Sequence, residues 1–405
     1  MRLDTHDNHV VRRVLVLNHF AAPLGAPGGT RHVEMFDRLQ GWEPRVVASN
    51  RNLLTGERPV SEGPSFVTVW TSPYSGNSWQ RILNWISYAI TATAYGLRTK
   101  RPSVVYASSP HLLAGLAGWL IARLRRAVFV LEIRDIWPRI LVEMGTMSES
   151  NPVYKALRRL ELFLYRRADQ IVVMAAGSIG ALERDGVPRD KIHLIPNGAD
   201  PADFVSARDP ETTRMEFGLS RLDFVFAYTG AHGPANGLDL VLDAAREVAE
   251  KAPEIRFLLV GDGPTKEQLA RRVASEALSN VVFHGPVPKD EIRHLLAAVD
   301  VGLHVLADVP LFRYGVSPNK LFDYMAAGRP VLTNVPGEVG GLVTEADAGL
   351  AVAPHDIAAG ALRLAEADHG QLQAWGRNGR TFMQQERSRT ALAAQLQSVL
   401  DSAVR

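Results

Sequence analysis

The sequence predicts an α/β protein made of two doubly wound domains, each a parallel sheet with helices on both faces. Length points to two or three domains, since 405 residues exceed one core of ordinary size, and 46 % apolar content is enough to fill real cores. Short β-branched runs alternate with helical patterns along the chain, the signature of parallel strands joined by helical crossovers. Between two sets of such runs lies Ile195-Pro196-Asn197-Gly198-Ala199-Asp200-Pro201, a strand end running into turn residues, which reads as a hinge. The expected division is 1–200, 201–386, and a terminal helix over 387–405 packing back on the first domain.

Runs at residues 14–17, 45–48, 66–70, 103–107, 127–133, 170–174 and 192–195 form the first set of strands; runs at 224–228, 255–260, 281–283, 301–305 and 331–332 form the second. The first strand feeds a loop containing Gly28 and Gly29, then a helix beginning near His32. In the second set, strand ends carry Gly230-Ala231-His232-Gly233, Gly261-Asp262-Gly263-Pro264 and His284-Gly285-Pro286-Val287. Parallel strands present all these ends on one side of their sheet, and glycine there lets backbone N–H groups approach a ligand closely. In Ser317-Pro318-Asn319-Lys320-Leu321-Phe322-Asp323-Tyr324 a helix starts after Pro318; it stops at Gly328 and hands over to the strand at Val331.

Composition narrows the class. Without cysteine there are no disulfides and no thiolate metal sites, and no leader pattern opens the sequence, so the expected location is the cytoplasm. The apolar stretches 85–97 and 112–124 are shorter than the roughly 20 residues a membrane span needs. The net charge of +2 conceals an asymmetry: residues 1–200 hold 25 Lys/Arg against 17 Asp/Glu, or +8, and the remainder 20 against 26, or −6. Basic clusters beside apolar helical patterns, with Trp79, Ile82, Leu83, Ile86 and Ile90 at helical spacing, suit peripheral contact with an anionic membrane at its inner face better than nucleic acid, for which no motif is present. The plain alternative is a solvated basic face and a stripe that packs on its own sheet.

The helix after Pro318 carries the sharpest chemistry. Its N-terminal N–H groups and dipole favour an anion, Lys320 adds a cation, and Asp323 one turn in can accept from vicinal hydroxyls. Phosphate and ribose on one element describe a nucleotide, although an ordinary capped helix shows the same signals. In the first domain, Glu132-Ile133-Arg134-Asp135-Ile136-Trp137-Pro138 ends a strand with a cation and a carboxylate, so that Asp135 would take or hold a hydroxyl proton. His111, after Ser108-Ser109-Pro110, stands at another strand tip and is a candidate for binding a substrate hydroxyl. No Asp-x-Asp or His-x-x-x-His pair suggests a metal, and metal-independent chemistry without a cofactor is expected.

Taken together, Gly28-Gly29, Ile195-Pro196-Asn197-Gly198-Ala199-Asp200, Gly261-Asp262-Gly263-Pro264 and the block from Ser317 to Val331 resemble a retaining glycosyltransferase of family 4 with the GT-B fold. The resemblance covers nearly the whole chain. It implies two facing Rossmann-like domains with a ligand cleft between them and a nucleotide-sugar donor, UDP first among the bases. The finer pattern around Glu132 and Ser317 is similar to N-acetyl-fucosamine transferases of bacterial surface-polysaccharide assembly. On this resemblance Asp323 holds the ribose, Ser317, Asn319, Lys320 and Leu321 surround the diphosphate, Gly285 and Val287 face the base, and Gly28 and Gly29 complete the phosphate pocket.

The chain also departs from the family pattern. Gly315 stands where a glutamate is expected, Ala231 and Asn236 replace the cations of the Gly-Arg-x4-Lys-Gly loop, and Arg134 occupies a histidine position. Stabilising a leaving diphosphate would then fall to Lys320, His232, Arg313 and the backbone around Gly28 and Gly29. The acceptor is expected to be a saccharide or lipid-linked saccharide, with a natural-product aglycone as the alternative. Two further readings share the architecture: a nonhydrolysing nucleotide-sugar epimerase and a catalytically silent sugar-nucleotide binder.

Overall fold

The computed structural model describes residues 11–24, 26, 29–52, 56–58, 65–74, 79–109, 111–143, 145–309 and 317–405. The chain forms two compact units, one comprising Met1–Met174, Ser178–Ile195 and Leu392–Arg405, the other Ala175–Gly177 and Pro196–Ala391. The division between the units falls just after Ile195, a few residues ahead of the expected boundary at 200, because β-pairing ends there and the turn residues belong to the second unit.

The strands of the first unit are β1 (Arg12–Leu17), β2 (Trp42–Ser49), β3 (Phe66–Val69), β4 (Val104–Ser109), β5 (Val128–Ile133), β6 (Gln170–Val173) and β7 (Ile192–Leu194). Among the described residues they pair in the order β3-β2-β1-β4-β5-β6-β7, all parallel. Successive side chains alternate between two cores, as the period of a strand requires. Leu15 and Leu17 face the helices Trp79–Arg98, Leu112–Arg125 and Pro152–Arg167, whereas Val14 and Val16 face the helix Arg31–Phe36 and the terminal Leu392, Leu396, Val399 and Leu400. Asp401 fixes this terminal segment by accepting from Arg12 Nη1 at 2.9 Å and Trp42 Nε1 at 3.1 Å.

The second unit repeats the plan with β8 (Phe224–Thr229), β9 (Ile255–Val260), β10 (Val281–His284), β11 (Val301–His304), β12 (Val331–Thr333) and β13 (Gly349–Ala351), in the parallel order β10-β9-β8-β11-β12-β13. The predicted strands all form, and the edge strand β13 is additional. The order reverses between β1 and β4 in one sheet and between β8 and β11 in the other. Beyond the carboxyl ends of the strands at such a reversal, crossovers leave to opposite faces and a crevice opens.

Candidate active site

In the second unit, Lys320 lies in the first turn of the helix Asn319–Ala326. Its Nζ donates to the Tyr228 hydroxyl at 2.7 Å and to Asn236 Oδ1 at 3.1 Å, and sits 4.1 Å from the centre of the Tyr228 ring. The Tyr228 hydroxyl donates onward to the Ala231 carbonyl at 2.7 Å, so its hydrogen is engaged and a lone pair receives the ammonium. Lys320 has no carboxylate partner among the described residues. Burial pulls its amine down to about 7, so protonation is finely balanced at neutral pH.

Two buried imidazoles share this environment. His232 is fully buried, and neither ring nitrogen has a partner among the described residues. Burial, reinforced by Lys266 and Lys320 and opposed by Asp262, lowers it to about 4, so it is neutral and one nitrogen carries an unused N–H. His304 closes β11; its Nδ1 lies 2.9 Å from Thr333 Oγ1 while Nε2 is unpartnered, and burial, then Lys320, hold it near 3. The loops around His232 need glycine: a Cβ at Gly261 (φ +143°) would lie 1.9 Å from the Gly230 carbonyl oxygen, and one at Gly263 (φ +156°) 2.4 Å from that of His232.

The other residues proposed for this unit fall around the same helix or on a neighbouring strand. Ser317 Oγ accepts from the Asn197 N–H at 2.8 Å, which leaves its hydroxyl hydrogen able to donate, and its carbonyl accepts from Asn197 Nδ2 at 2.7 Å. Pro318 caps the helix without a side-chain acceptor. Asn319 is exposed and Asp323 half-buried, whereas Leu321 is 1 % exposed and packs into the core, so only its backbone could reach a ligand. Gly285 and Val287 follow β10, separated from β8 by β9. Arg313 and the departure at Gly315 lie outside the described residues, as does Gly28 of the first unit.

The first unit completes its strand ends differently. Glu132, buried on β5, accepts from His32 Nε2 at 2.9 Å, the Tyr106 hydroxyl at 2.7 Å and Ser108 Oγ at 2.7 Å. Burial alone would raise its pKa, but His32, Arg31 and Arg134 outweigh that and hold the carboxyl well below its usual range. His111 caps the helix Leu112–Arg125, its Nδ1 accepting from the Ala114 N–H at 3.3 Å. Its Nε2 must then carry the hydrogen and donate to His19 Nδ1, 2.7 Å away, which leaves the His19 hydrogen on Nε2, a nitrogen with no hydrogen-bond partner among the described residues. Burial lowers both imidazoles, His19 to about 3. His111 is 1 % exposed with both nitrogens engaged, so in this arrangement it positions His19 and the helix and has no nitrogen left for a substrate hydroxyl.

Asp135 differs from these. Its side chain is open to solvent and makes no hydrogen bond or ion pair among the described residues, Arg134 included. Surrounding protein raises its carboxyl above the usual range against the pull of Arg134. Gly29 pairs with Ala21 in an isolated bridge and its carbonyl accepts from the Ala22 N–H at 3.1 Å. Sequence reasoning passed over Tyr228, His304, His19 and Glu132. A carboxylate inside the apolar run Val128–Ile133 was the legible signal for the last.

A "Glycosyl transferase 4-like domain" model matches residues 33–198 and a "Glycosyl transferases group 1" model matches residues 223–367. The chain belongs to glycosyltransferase family 4. Among relatives of this chain, "Probable glycosyltransferase WbjE" of Pseudomonas aeruginosa is 28 % identical over 266 residues, 64 % of each chain. The 2-deoxystreptamine glucosyltransferase of Streptomyces kanamyceticus is 28 % identical over 277 residues, 63 % of this chain and 70 % of that one. The alignment thus spans less than two thirds of WbjE's own length. Anabaena HepE, crystallised with UDP, superposes with a TM-score of 0.71 at 18 % identity over 96 % of this chain and 100 % of that one, which shows a GT-B fold.

Proposed function

We propose that this glycosyltransferase moves a hexose or amino-sugar from UDP to an acceptor hydroxyl with retention, without a metal or other cofactor, in bacterial surface-polysaccharide assembly. One observation carries the reading: a cation without a carboxylate partner and two buried imidazoles with unused nitrogens converge at the strand reversal of the second unit. Buried polar groups are ordinarily hydrogen-bonded, and a diphosphate completes this set. HepE, of the same fold, has been crystallised with UDP-glucose.

As the sugar leaves, charge grows on the diphosphate, and preorganised donors lower that barrier most. Lys320 lies 3.1 Å from Asn236 Oδ1, beside the loop position where the resemblance expects a lysine. The helix thereby provides the cation that the loop lacks, with the His232 and His304 N–H groups and the uncapped helix end as further donors. Asp323 is assigned to the ribose, Ser317 and Asn319 to the phosphates, Gly285 and Val287 to the base, and Arg313, Gly28 and Gly29 to the phosphate pocket. Retention places nucleophile and leaving group on one face of the sugar, so the diphosphate and positioning dominate. Asp135, open and raised, receives the acceptor hydroxyl. The acceptor is a saccharide, lipid-linked at the inner face of an anionic membrane, and N-acetyl-fucosamine is the first donor sugar to try.

Incubation with a panel of UDP-sugars, with and without acceptor saccharides, tests this by chromatography of the nucleotides and NMR of the product's anomeric proton. UDP should appear only when acceptor is present, and the product should keep the donor's anomeric configuration. Conversion of donor without acceptor would point to an epimerase. UDP binding with no release from any donor would point to a silent binder.

A further inference from the structure

The helix Trp79–Arg98 is inverted for an element that merely covers a sheet. Its buried residues are Asn84, Tyr88, Ala92 and Gly96, polar or small. Gly96 admits the neighbouring helix, since a Cβ there would lie 2.7 Å from Ile121 Cδ1. The large apolar side chains point the other way: Trp79 is 69 % exposed, Ile82 53 %, Leu83 44 %, Ile86 41 % and Ile90 64 %. At about 100° per residue these five fall within a single stripe. Tyr88 donates to the Val47 carbonyl at 2.7 Å and Asn84 Nδ2 to that of Ser72 at 2.6 Å, so the orientation is held from within. Trp70, 59 % exposed, is tied alongside through its carbonyl, which accepts from Thr91 Oγ1 at 2.9 Å.

Charge frames the stripe. The adjacent helix Leu112–Arg125 exposes Leu120 and Leu124 with Arg123 on the same side, and neither helix contains an Asp or Glu. Arg125 locks the two helix ends together by donating to the carbonyls of Leu97 at 3.1 Å and Thr99 at 2.7 Å. Exposed Arg98, Lys100, Arg101, Arg123 and Arg126 gather at this end. Aliphatics flanked by tryptophan on one side and by cations without acids on the other are what an interfacial helix presents to an anionic bilayer. No helix among the described residues is long and apolar enough to cross a membrane.

We propose that the outward face of the helix Trp79–Arg98, together with Leu120 and Leu124, docks on an anionic bilayer and brings the strand ends of the first unit to the membrane surface. The same helix turns Trp85 onto His111, with ring centres 5.0 Å apart, and Tyr88 onto His19, 4.3 Å apart. One helix diameter, about 10–12 Å, therefore separates the docked face from the tips of β1 and β4. A saccharide held just above the lipid headgroups reaches those tips without leaving its membrane; this last step rests on the lipid-linked acceptor proposed above, while docking itself does not.

The test is flotation of the full chain with vesicles of phosphatidylglycerol and phosphatidylethanolamine, compared with phosphatidylcholine alone. The protein should float with the anionic vesicles and release at high salt. Ile86→Ser with Ile90→Ser should weaken partition roughly tenfold or more. Arg98→Glu with Arg123→Glu should weaken it on anionic vesicles only, and neither pair should change turnover of a water-soluble acceptor. An unaltered chain that stays at the bottom of the gradient, serine variants that float undiminished, or a dimer in light scattering that the serine variants dissolve would each overturn the proposal; the last would make a second copy the occupant. A chain that floats yet transfers no sugar would instead sink the functional reading and leave docking standing.

Discussion

At the ends of β8 and β11 the second unit leaves Lys320 without a carboxylate and both His232 ring nitrogens and His304 Nε2 unpaired among the described residues; at the ends of β1, β4 and β5 the first unit pairs His111 with His19 and His32 with Glu132, and of these imidazoles only His19 keeps an unpaired nitrogen, Nε2. The two sheets share one topology, so the difference lies in the chemistry placed on it. A buried donor left unpaired costs about 1–3 kcal/mol, a cost that persists where a ligand will complete the set. The first unit instead uses its polar groups to fix shape, and leaves Asp135 as its open carboxylate at the tip of β5. Under the proposed function, binding a charged nucleotide and orienting a neutral hydroxyl would call for these two different finishes.

Substitutions should separate the two roles. Lys320→Ala removes the cation and is expected to lower kcat/KM for the donor by about 10²–10³-fold, the loss typical of one preorganised donor. Adding Asn236→Lys to that variant should recover part of the loss, since it returns a cation to the loop residue whose native Oδ1 lies 3.1 Å from the Lys320 amine. An undiminished rate in Lys320→Ala would remove this residue from the mechanism. A smaller effect, about 10–100-fold on transfer, is expected for Asp135→Asn, with UDP affinity unchanged in titration. If UDP affinity falls in step with transfer, the division of labour between the units is wrong.

Much of the fold was legible because parallel strands are written as short β-branched runs between helical patterns, and residues 255–260 coincide with β9 as formed. The edge strand β13 was not, because Gly-Leu-Ala carries no such signal and pairs only as a neighbour of β12. Lys320 was readable from its place in a helix's first turn, yet its anchoring on Tyr228 and Asn236 was not, since those partners lie 92 and 84 residues away. The pairing of His111 with His19 likewise joins residues 92 apart and turns a candidate substrate ligand into a positioning group. The stripe at Trp79 and Ile90 was visible as periodicity, but only burial shows that it faces outward.

The claim that the second unit is built around an absent diphosphate is tested most directly by calorimetric titration with UDP between about pH 7.5 and 9, where the nucleotide's own phosphate, with a pKa near 6, is already ionised. Burial brings the free Lys320 amine to about 7, below the ordinary 10.5, so over this range it is largely neutral before binding and protonated beside the diphosphate. Binding should therefore take up close to one proton, seen as a dependence of the measured heat on buffer ionisation enthalpy. Affinity should weaken toward tenfold per pH unit above about 7, and both effects should vanish in Lys320→Ala. UDP binding that is tight, independent of pH and unchanged by Lys320→Ala would contradict the account.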